Sequence, residues 1–185
     1  MLTKWGPVTF LTMWKTIKAY KANDPAAKSI AEIIFLYPGL RAIAFHRLAH
    51  LLYRLRLYFL ARLVSEIARF MSGIEIHPGA KIGKGVVIDH GMGVVIGETA
   101  EVSDGVLIYQ GATLGGSQLN SGKRHPTIKE NVIIGAGSKI IGPIIVGEGA
   151  KIGANAVVLT DVASYSNVGG VPGRVLSSNN KGASL

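Results

Sequence analysis

The stretch IKENVIIGAGSKIIGPIIVGEGAKIGANAVV, residues 128–158, carries an aliphatic residue at every sixth position, and glycine follows several of them. The same period occurs in two earlier runs that begin at Ile76 and Ile96. Such hexapeptides are typical of β-helical solenoids, in which each hexad supplies one short strand and one turn. We therefore predict a parallel β-helix, three hexads to a turn, with these residues pointing into the coil: Ile76, Ile82, Ile88, Ile96, Val102, Ile108, Leu114, Ile128, Ile134, Ile140, Val146, Ile152 and Val158.

The sequence before the solenoid follows a helical rhythm. Apolar residues three and four apart predict amphipathic helices over residues 40–55 and 57–70. We expect Pro25 and Pro38 to begin helices, with Asp24 as the N-cap of the first. The predicted fold class is α+β, with an α-helical N-terminal domain over 1–73, a β-helix over 74–163 that contains an extruded loop at about 115–126, and a tail over 164–185.

Composition and charge narrow the function classes. The net charge of +9 lies in the N-terminal part, since residues 1–73 hold 11 Lys/Arg against 3 Asp/Glu and the remainder holds 9 against 8. No nucleic-acid motif accompanies this charge, so we expect a solvated helical face and neither nucleic acid nor membrane as a partner. Cysteine is absent, which excludes disulfides, thiolate metal sites and a cysteine nucleophile and fits a cytoplasmic location. No signal peptide or membrane-spanning run is expected.

The six-residue period fails twice, and each interruption carries a histidine. Ile88 and Ile96 are eight residues apart, so the coil is expected to bulge around the segment DHGMG. Leu114 and Ile128 are fourteen apart, so the polar segment GGSQLNSGKRHP, residues 115–126, is expected to loop out. A packed core needs neither interruption, which makes both candidates for function.

His90 is the candidate general base, because a histidine near its ordinary pKa can take a proton from an alcohol at neutral pH. Asp89 is its neighbour, but adjacent residues on a strand point to opposite faces. Glu75, fifteen residues earlier and close to one coil turn, is the better candidate to orient the imidazole. The structural alternative is a corner histidine bonded to the backbone.

The Arg124–His125 pair can bind a carboxylate, since a guanidinium makes bidentate contacts with one. The alternative is a solvated basic loop. His77 lies within a regular hexad and is expected to be structural, as are His46 and His50 on their helix. The wide gaps between the coil histidines His77, His90 and His125 do not suit a zinc site, so no metal is expected.

The chain closely resembles the serine O-acetyltransferase family over about residues 20–176. The resemblance is carried by these stretches: DPAAKS from Asp24, YPGLRAIAFHRLAH from Tyr37, IEIHPGAKIGKG from Ile74, IDHGMGVVIGETAEV from Ile88, YQGATLGG from Tyr109, KRHPTI from Lys123 and GVPGRV from Gly170. It implies a left-handed β-helix and acetyl transfer from acetyl-CoA to the hydroxyl of L-serine in cysteine biosynthesis. It also implies an active site between subunits of a homotrimer, with a dimer of trimers as the alternative.

The resemblance also implies roles for single residues. His90 would be the base and Glu75, an aspartate in many relatives, its orienting carboxylate. Asp24 and Asp89 would hold the serine ammonium, and Arg124 and His125 of a neighbouring subunit its carboxylate, with His125 also in the catalytic group. The groove for CoA would be formed by five residues: Gly115, Ala136, Gly153, Ala154 and Arg174.

Two features depart from many relatives. The helical region before the coil is short, which favours a trimer. Some relatives end in an isoleucine that inserts into cysteine synthase, whereas this sequence ends in Leu185, which leaves that partnership open. Two other functions remain open at this point: a hexapeptide acetyltransferase acting on a sugar or small alcohol, and a non-catalytic scaffold that uses the basic N-terminal part.

Overall fold

Four helices precede the solenoid in the computed structural model, which describes residues 10–117, 119 and 121–178. Helices α1 to α4 span Phe10–Asn23, Ile30–Leu36, Pro38–Arg54 and Tyr58–Ser72. The two helices predicted from apolar spacing correspond to α3 and α4. The two ends of the chain lie outside the described residues. They include the N-terminal segment in which no signal peptide is expected and the tail that ends in Leu185. Among the described helices, none is long and apolar enough to cross a membrane.

The helix starts agree only in part with the prediction. Pro38 occupies the first turn of α3, as predicted. Pro25 does not begin a helix, because α2 starts later and Ser29 is its N-cap, accepting from the Glu32 N–H at 3.1 Å. The prediction that Asp24 caps a helix is therefore wrong. Its carboxylate accepts from the Ala26 N–H at 2.8 Å, which forms a local turn of the kind that aspartate favours.

In the described part of the chain, fifteen short strands form the three faces of the coil and the hairpin that ends it. They are β1 Glu75–Ile76, β2 Lys81–Ile82, β3 Val87–Asp89, β4 Val95–Ile96, β5 Glu101–Val102, β6 Leu107–Tyr109, β7 Thr113–Gly115, β8 Thr127–Ile128, β9 Ile133–Ile134, β10 Lys139–Ile141, β11 Ile145–Val146, β12 Lys151–Ile152, β13 Val157–Val158, β14 Ser166–Gly169 and β15 Arg174–Ser178. Sheet A has the order β1-β4-β7-β10-β13, sheet B β2-β5-β8-β11, and sheet C β3-β6-β9-β12-β14-β15. Among these described strands, all pairings are parallel except that of β14 with β15.

The core confirms the six-residue pattern. Every aliphatic residue predicted to point inward is at most 4% exposed, and all belong to one hydrophobic cluster. Burial of a Val, Leu or Ile side chain contributes roughly 1.5–3 kcal/mol, so this internal column is the main source of stability of the coil.

The strand register shows where the extra residues go. Val95 pairs with Thr113, which lies three hexads further along the chain, so this turn is regular. Glu75 pairs with Val95 across a turn that is two residues longer than three hexads. Thr113 pairs with Lys139 across a turn that is eight residues longer. The two interruptions thus add residues only at corners of the triangle, and the ladder continues past both.

Each corner of the triangle lies between two sheets. The first corner joins sheet A to sheet B, the second joins B to C, and the third joins C back to A. The two-residue excess after β3 lies at the third corner. The long loop after β7 lies at the first.

The helices cover two parts of the coil. Helices α1 and α2 pack on the outer face of sheet C, where Tyr20 and Ile33 bury Val87 and Leu107. Helices α3 and α4 lie against the first turn, where Arg47 donates to the carbonyls of Ile82 and Gly83 at 2.5 and 2.6 Å. The N-terminal domain is therefore held to the coil by both apolar packing and hydrogen bonds.

Strand pairing continues beyond residue 163, where the sequence pattern placed the start of a tail. Strand β14 adds to sheet C beside β12, and β15 folds back on it. The hexapeptide pattern is lost there because the last turn shortens. Val146 bridges Val162, and Ile152 pairs with Val168, in both cases across a turn that is two residues shorter than three hexads.

Candidate active site

His90 lies at the third corner, directly after β3, with a left-handed backbone (φ 58°). Gly91 and Gly93 share this conformation (φ 75° and 73°). A non-glycine residue rarely adopts it, and such strain concentrates at functional sites. The side chain is exposed, and its ring forms no hydrogen bond within the described part of the chain. The alternative of a histidine bonded to the backbone is thus not what the structure shows.

Asp24 reaches this corner from the segment between α1 and α2. One carboxylate oxygen accepts from the Ala26 N–H and the other from the Tyr37 hydroxyl. The hydrogen bond from Tyr37, followed by that from Ala26, lowers the pKa of Asp24, and the nearby His90 ring lowers it further. The carboxylate is therefore held in its charged form within electrostatic reach of the histidine.

Asp89 ends β3 and adds a second negative charge at the corner. Its charge contributes to raising the pKa of Tyr20 and of Tyr37, which places it near both phenols. The hydrogen bond to Asp24 is the main cause that raises the pKa of Tyr37 to about 12. The structure thus brings together Asp24, Asp89 and His90, a set suited to a cationic group beside a reacting hydroxyl.

Glu75 contacts other partners. Its carboxylate lies 3.3 Å from Arg69 and 3.6 Å from Arg62, both on α4, and it has no hydrogen bond with His90 among the described residues. Its backbone lies next to the third corner, where the Glu75 N–H donates to the Val94 carbonyl at 2.9 Å, but its side chain is held by the two arginines of α4.

Arg124 and His125 lie at the first corner, where the long loop rejoins the coil. The Nδ1 atom of His125 accepts from the Thr99 N–H at 3.2 Å and lies 2.9 Å from the Thr99 hydroxyl oxygen. Arg124 donates to Glu98 at 2.6 Å. Burial lowers the pKa of His125, and the Arg124 charge lowers it further. Because Nδ1 accepts from the Thr99 N–H, the proton of the neutral ring lies on Nε2 and is left to donate.

Sequence reasoning did not identify Glu98 and Thr99 as site residues. They hold the Arg124–His125 pair in place, and Glu98 also accepts from Tyr53 at 3.0 Å. An open cleft of about 450 Å³ beside them is lined in part by Tyr53, Glu98 and Thr99. The signal that could have found them is the GET triplet that follows the DHGMGVVI segment, since it has no role in core packing.

His77 has the structural role predicted for it. Its Nδ1 atom accepts from the Gly79 N–H at 3.0 Å. His46 is buried, and His50 Nδ1 lies 2.8 Å from the Pro78 carbonyl oxygen. Across the described residues, no group of three or more His, Cys, Asp or Glu side chains is placed to hold a metal ion.

Three of the five residues predicted for the CoA groove lie in later turns on the same edge of the coil as His90. Ala136, Gly153 and Ala154 lie at successive third corners, which stack through backbone bonds: Gly111 N–H to Met92 O, Gly137 N–H to Gln110 O and Asn155 N–H to Ala136 O, at 2.9, 2.8 and 2.8 Å. Gly115 lies at the other edge of sheet A, beside Ile141. Arg174 is exposed on β15.

The predicted site residues of one chain therefore fall into two groups, or half-sites, at two corners. Asp24, Asp89 and His90 lie at the third corner, whereas Arg124 and His125 lie at the first, and sheet A separates them.

Comparison with known proteins places the chain in a family. A model described as bacterial transferase hexapeptide (six repeats) matches residues 125–160. Serine acetyltransferase of Bacillus subtilis (strain 168) is 58% identical over 159 residues, which are 86% of this chain and 73% of that protein. Serine acetyltransferase of Helicobacter pylori (strain ATCC 700392 / 26695) is 55% identical over 155 residues, 84% of this chain and 91% of that protein. The chain belongs to the serine acetyltransferase family.

As a serine acetyltransferase, the protein is an acyltransferase, and solved structures of the family match its fold. The Neisseria gonorrhoeae enzyme superposes with a TM-score of 0.90 at 37% identity, covering 93% of this chain and 67% of that one. The Brucella abortus strain S19 enzyme in complex with coenzyme A gives 0.89 at 40%, covering 92% and 68%. The gonococcal enzyme in complex with serine gives 0.87 at 36%, covering 90% and 68%. The predicted class, helices followed by a left-handed β-helix of hexapeptides, is confirmed.

Proposed function

We propose that the chain transfers the acetyl group of acetyl-CoA to the hydroxyl of L-serine, giving O-acetyl-L-serine and CoA. The observation that carries the proposal is the third corner, where an exposed histidine in a strained backbone conformation adjoins two carboxylates. Solved relatives bound to serine and to coenzyme A support the two substrates.

His90 acts as the general base. Its imidazole takes the proton of the serine hydroxyl while the oxygen attacks the thioester carbon. The carbonyl electron pair moves to oxygen, where backbone N–H groups can stabilise the charge. When the C–S bond breaks, the imidazolium returns the proton to the departing sulfur. Because both substrates react directly, no covalent acetyl-enzyme is required, in agreement with the absence of cysteine.

Charged groups fix the orientation of serine. Asp24 and Asp89 bind the ammonium, and Arg124 and His125 bind the carboxylate. His125 donates from Nε2 as a neutral imidazole and completes the catalytic group. We retain Glu75 as the orienting carboxylate of His90, a role that requires it to rotate away from Arg69.

The separation of the half-sites at two corners supports assembly into a homotrimer, with a dimer of trimers as a larger form. Three copies related by a threefold axis place the third corner of one beside the first corner of the next, so that each interface completes one site. The CoA groove follows the third corners, where Ala136, Gly153 and Ala154 leave the backbone accessible. At the far end of this groove, Arg174 binds a phosphate of CoA. Gly115 of the neighbouring copy lines the other side of the groove.

The location is proposed as the cytoplasm, which fits a chain with no cysteine and hence no disulfide. A partnership with cysteine synthase is not proposed, because Leu185 lies outside the described residues.

Two variants test the site and its sharing between copies. In a coupled assay of CoA release, His90→Ala should lose roughly 10²–10⁴-fold in kcat while its KM for acetyl-CoA is unchanged. Arg124→Ala should raise the KM for serine. When the two variants are co-expressed in equal amounts and assemble at random, about a quarter of all sites, or about one site in each mixed trimer, regain both groups. Near wild-type turnover of His90→Ala refutes the base, and no recovery in the mixture refutes the shared site.

A further inference from the structure

The segment Tyr37-Pro38-Gly39 spans the junction of α2 and α3, and its geometry holds the Tyr37 side chain in place. A residue before proline is driven to extended backbone, and Tyr37 has φ −82° and ψ 113°. A Cβ on Gly39 would lie 2.0 Å from the Ile88 carbonyl oxygen and 2.3 Å from the Tyr20 hydroxyl oxygen. Glycine thus lets the start of α3 touch the strand that leads to His90.

The ring of Tyr37 is fixed against the same strand. It packs edge-to-face on Tyr20, with ring centroids 5.8 Å apart and an interplanar angle of 86°. Tyr20 is in turn bonded to Ile88, two residues before His90: its hydroxyl accepts from the backbone N–H at 3.0 Å and donates to the carbonyl at 3.2 Å. The position of the Tyr37 ring is therefore coupled to the catalytic corner.

The Tyr37 hydroxyl is hydrogen-bonded to the Asp24 carboxylate and lies within electrostatic reach of Asp89. It donates to Oδ2 of Asp24, while the Ala26 N–H holds Oδ1, so both oxygens are fixed. The charge of Asp89 acts on the same phenol. Without this donor, the Asp24 carboxylate keeps only backbone N–H partners, Ala26 and more weakly Ala27, and is less firmly oriented.

We propose that Tyr37 is a positioning residue that fixes the Asp24 carboxylate for the ammonium of the acceptor and thereby selects amino alcohols over simple alcohols. This inference rests on the proposed function of Asp24. Tyr37 itself does not touch the reacting atoms, so its loss affects binding of the acceptor and leaves the chemical step unchanged.

The test is the isosteric substitution Tyr37→Phe in the full chain. The KM for L-serine should rise roughly tenfold, because one charge-assisted hydrogen bond is lost. The kcat should stay within about twofold of wild type, and the KM for acetyl-CoA should not change. The ratio of kcat/KM for L-serine to that for 3-hydroxypropionate, which lacks the ammonium, should fall by the same factor. In carbon NMR titration, the pKa of Asp24 should rise.

Two further variants make the result decisive. Tyr165→Phe removes a similar tyrosine–carboxylate bond, to Glu148 at 2.9 Å, on an exposed corner and should leave all constants unchanged. Asp24→Asn should raise the KM for serine. If Tyr37→Phe keeps the wild-type KM and selectivity while Asp24→Asn loses them, the positioning role is overturned and the proposed function stands. If Asp24→Asn also keeps them, the proposed contact of Asp24 with serine fails.

Discussion

Tyr20 supplies hydrogen bonds that the coil cannot make for itself. Strand β3 is an edge strand of sheet C, paired on one side with β6 only. The N–H and C=O of Ile88 point to the open edge, and the Tyr20 hydroxyl serves both. The phenol is 1% exposed, so no water replaces it. Tyr20→Phe removes the oxygen alone and leaves one donor and one acceptor of Ile88 buried without a partner.

The expected loss of stability follows from these two groups. Leaving one buried polar group unsatisfied costs about 1–3 kcal/mol, so we expect about 2–6 kcal/mol for the pair. The same change frees the end of the strand that carries His90. Because a displacement of about an ångström at a catalytic group can lower the rate by such factors, kcat should fall about tenfold or more. The KM for acetyl-CoA should stay unchanged.

Equilibrium unfolding in urea at fixed protein concentration measures the first effect, because the stability of an oligomer depends on concentration. Steady-state kinetics measures the second. Tyr165→Phe is the matched control, since it removes a phenol oxygen from an exposed pair and should change neither quantity. A Tyr20→Phe protein with wild-type unfolding free energy and wild-type kcat would refute the assignment of the phenol as the edge partner of β3.

Three other changes probe the second half-site and the helical domain. Gly97→Ala places a Cβ 2.0 Å from Cδ2 of His125, so the ring must move, and kcat/KM for serine should fall at least about tenfold in a steady-state assay. Glu98→Gln removes the charge that holds Arg124, and the KM for serine should rise severalfold, with kcat nearly unchanged. Burial lowers the pKa of His46 well below 6.5, so the unfolded chain takes up a proton first as the pH falls. The unfolding free energy should therefore decrease from about pH 6.5 downward, and His46→Gln should flatten that slope in urea titrations at several pH values.

The coil could be predicted because its information is local and repeated. Each inward residue, such as Ile134, needs only an aliphatic side chain at the sixth position. The interruptions were equally visible as failures of the period. The contacts between residues of different turns could not be predicted, because they depend on turn length. Glu75, for example, pairs with Val95 across a turn longer than three hexads, and its carboxylate contacts Arg62 and Arg69 of α4.

The helical domain shows the same limit. Asp24 was recognised as a site residue by resemblance, but its local geometry was mistaken for a helix cap because aspartate before proline suits both arrangements. The phenols that hold the corner were not found, since tyrosine on an apolar helix face is usual in a core. The role of Tyr37 emerges only when α2, α3 and β3 are placed together.

The long loop after β7 enters and leaves the coil without shifting the strands on either side of it. Chain length at a corner is therefore almost independent of core packing in this architecture. We therefore expect insertions and deletions there to alter recognition of the acceptor more than folding. Evolution and laboratory design alike can vary the segment between Leu114 and Ile128 as a separable unit, and a grafted loop that carries a different anion-binding pair should redirect acceptor choice on an unchanged scaffold.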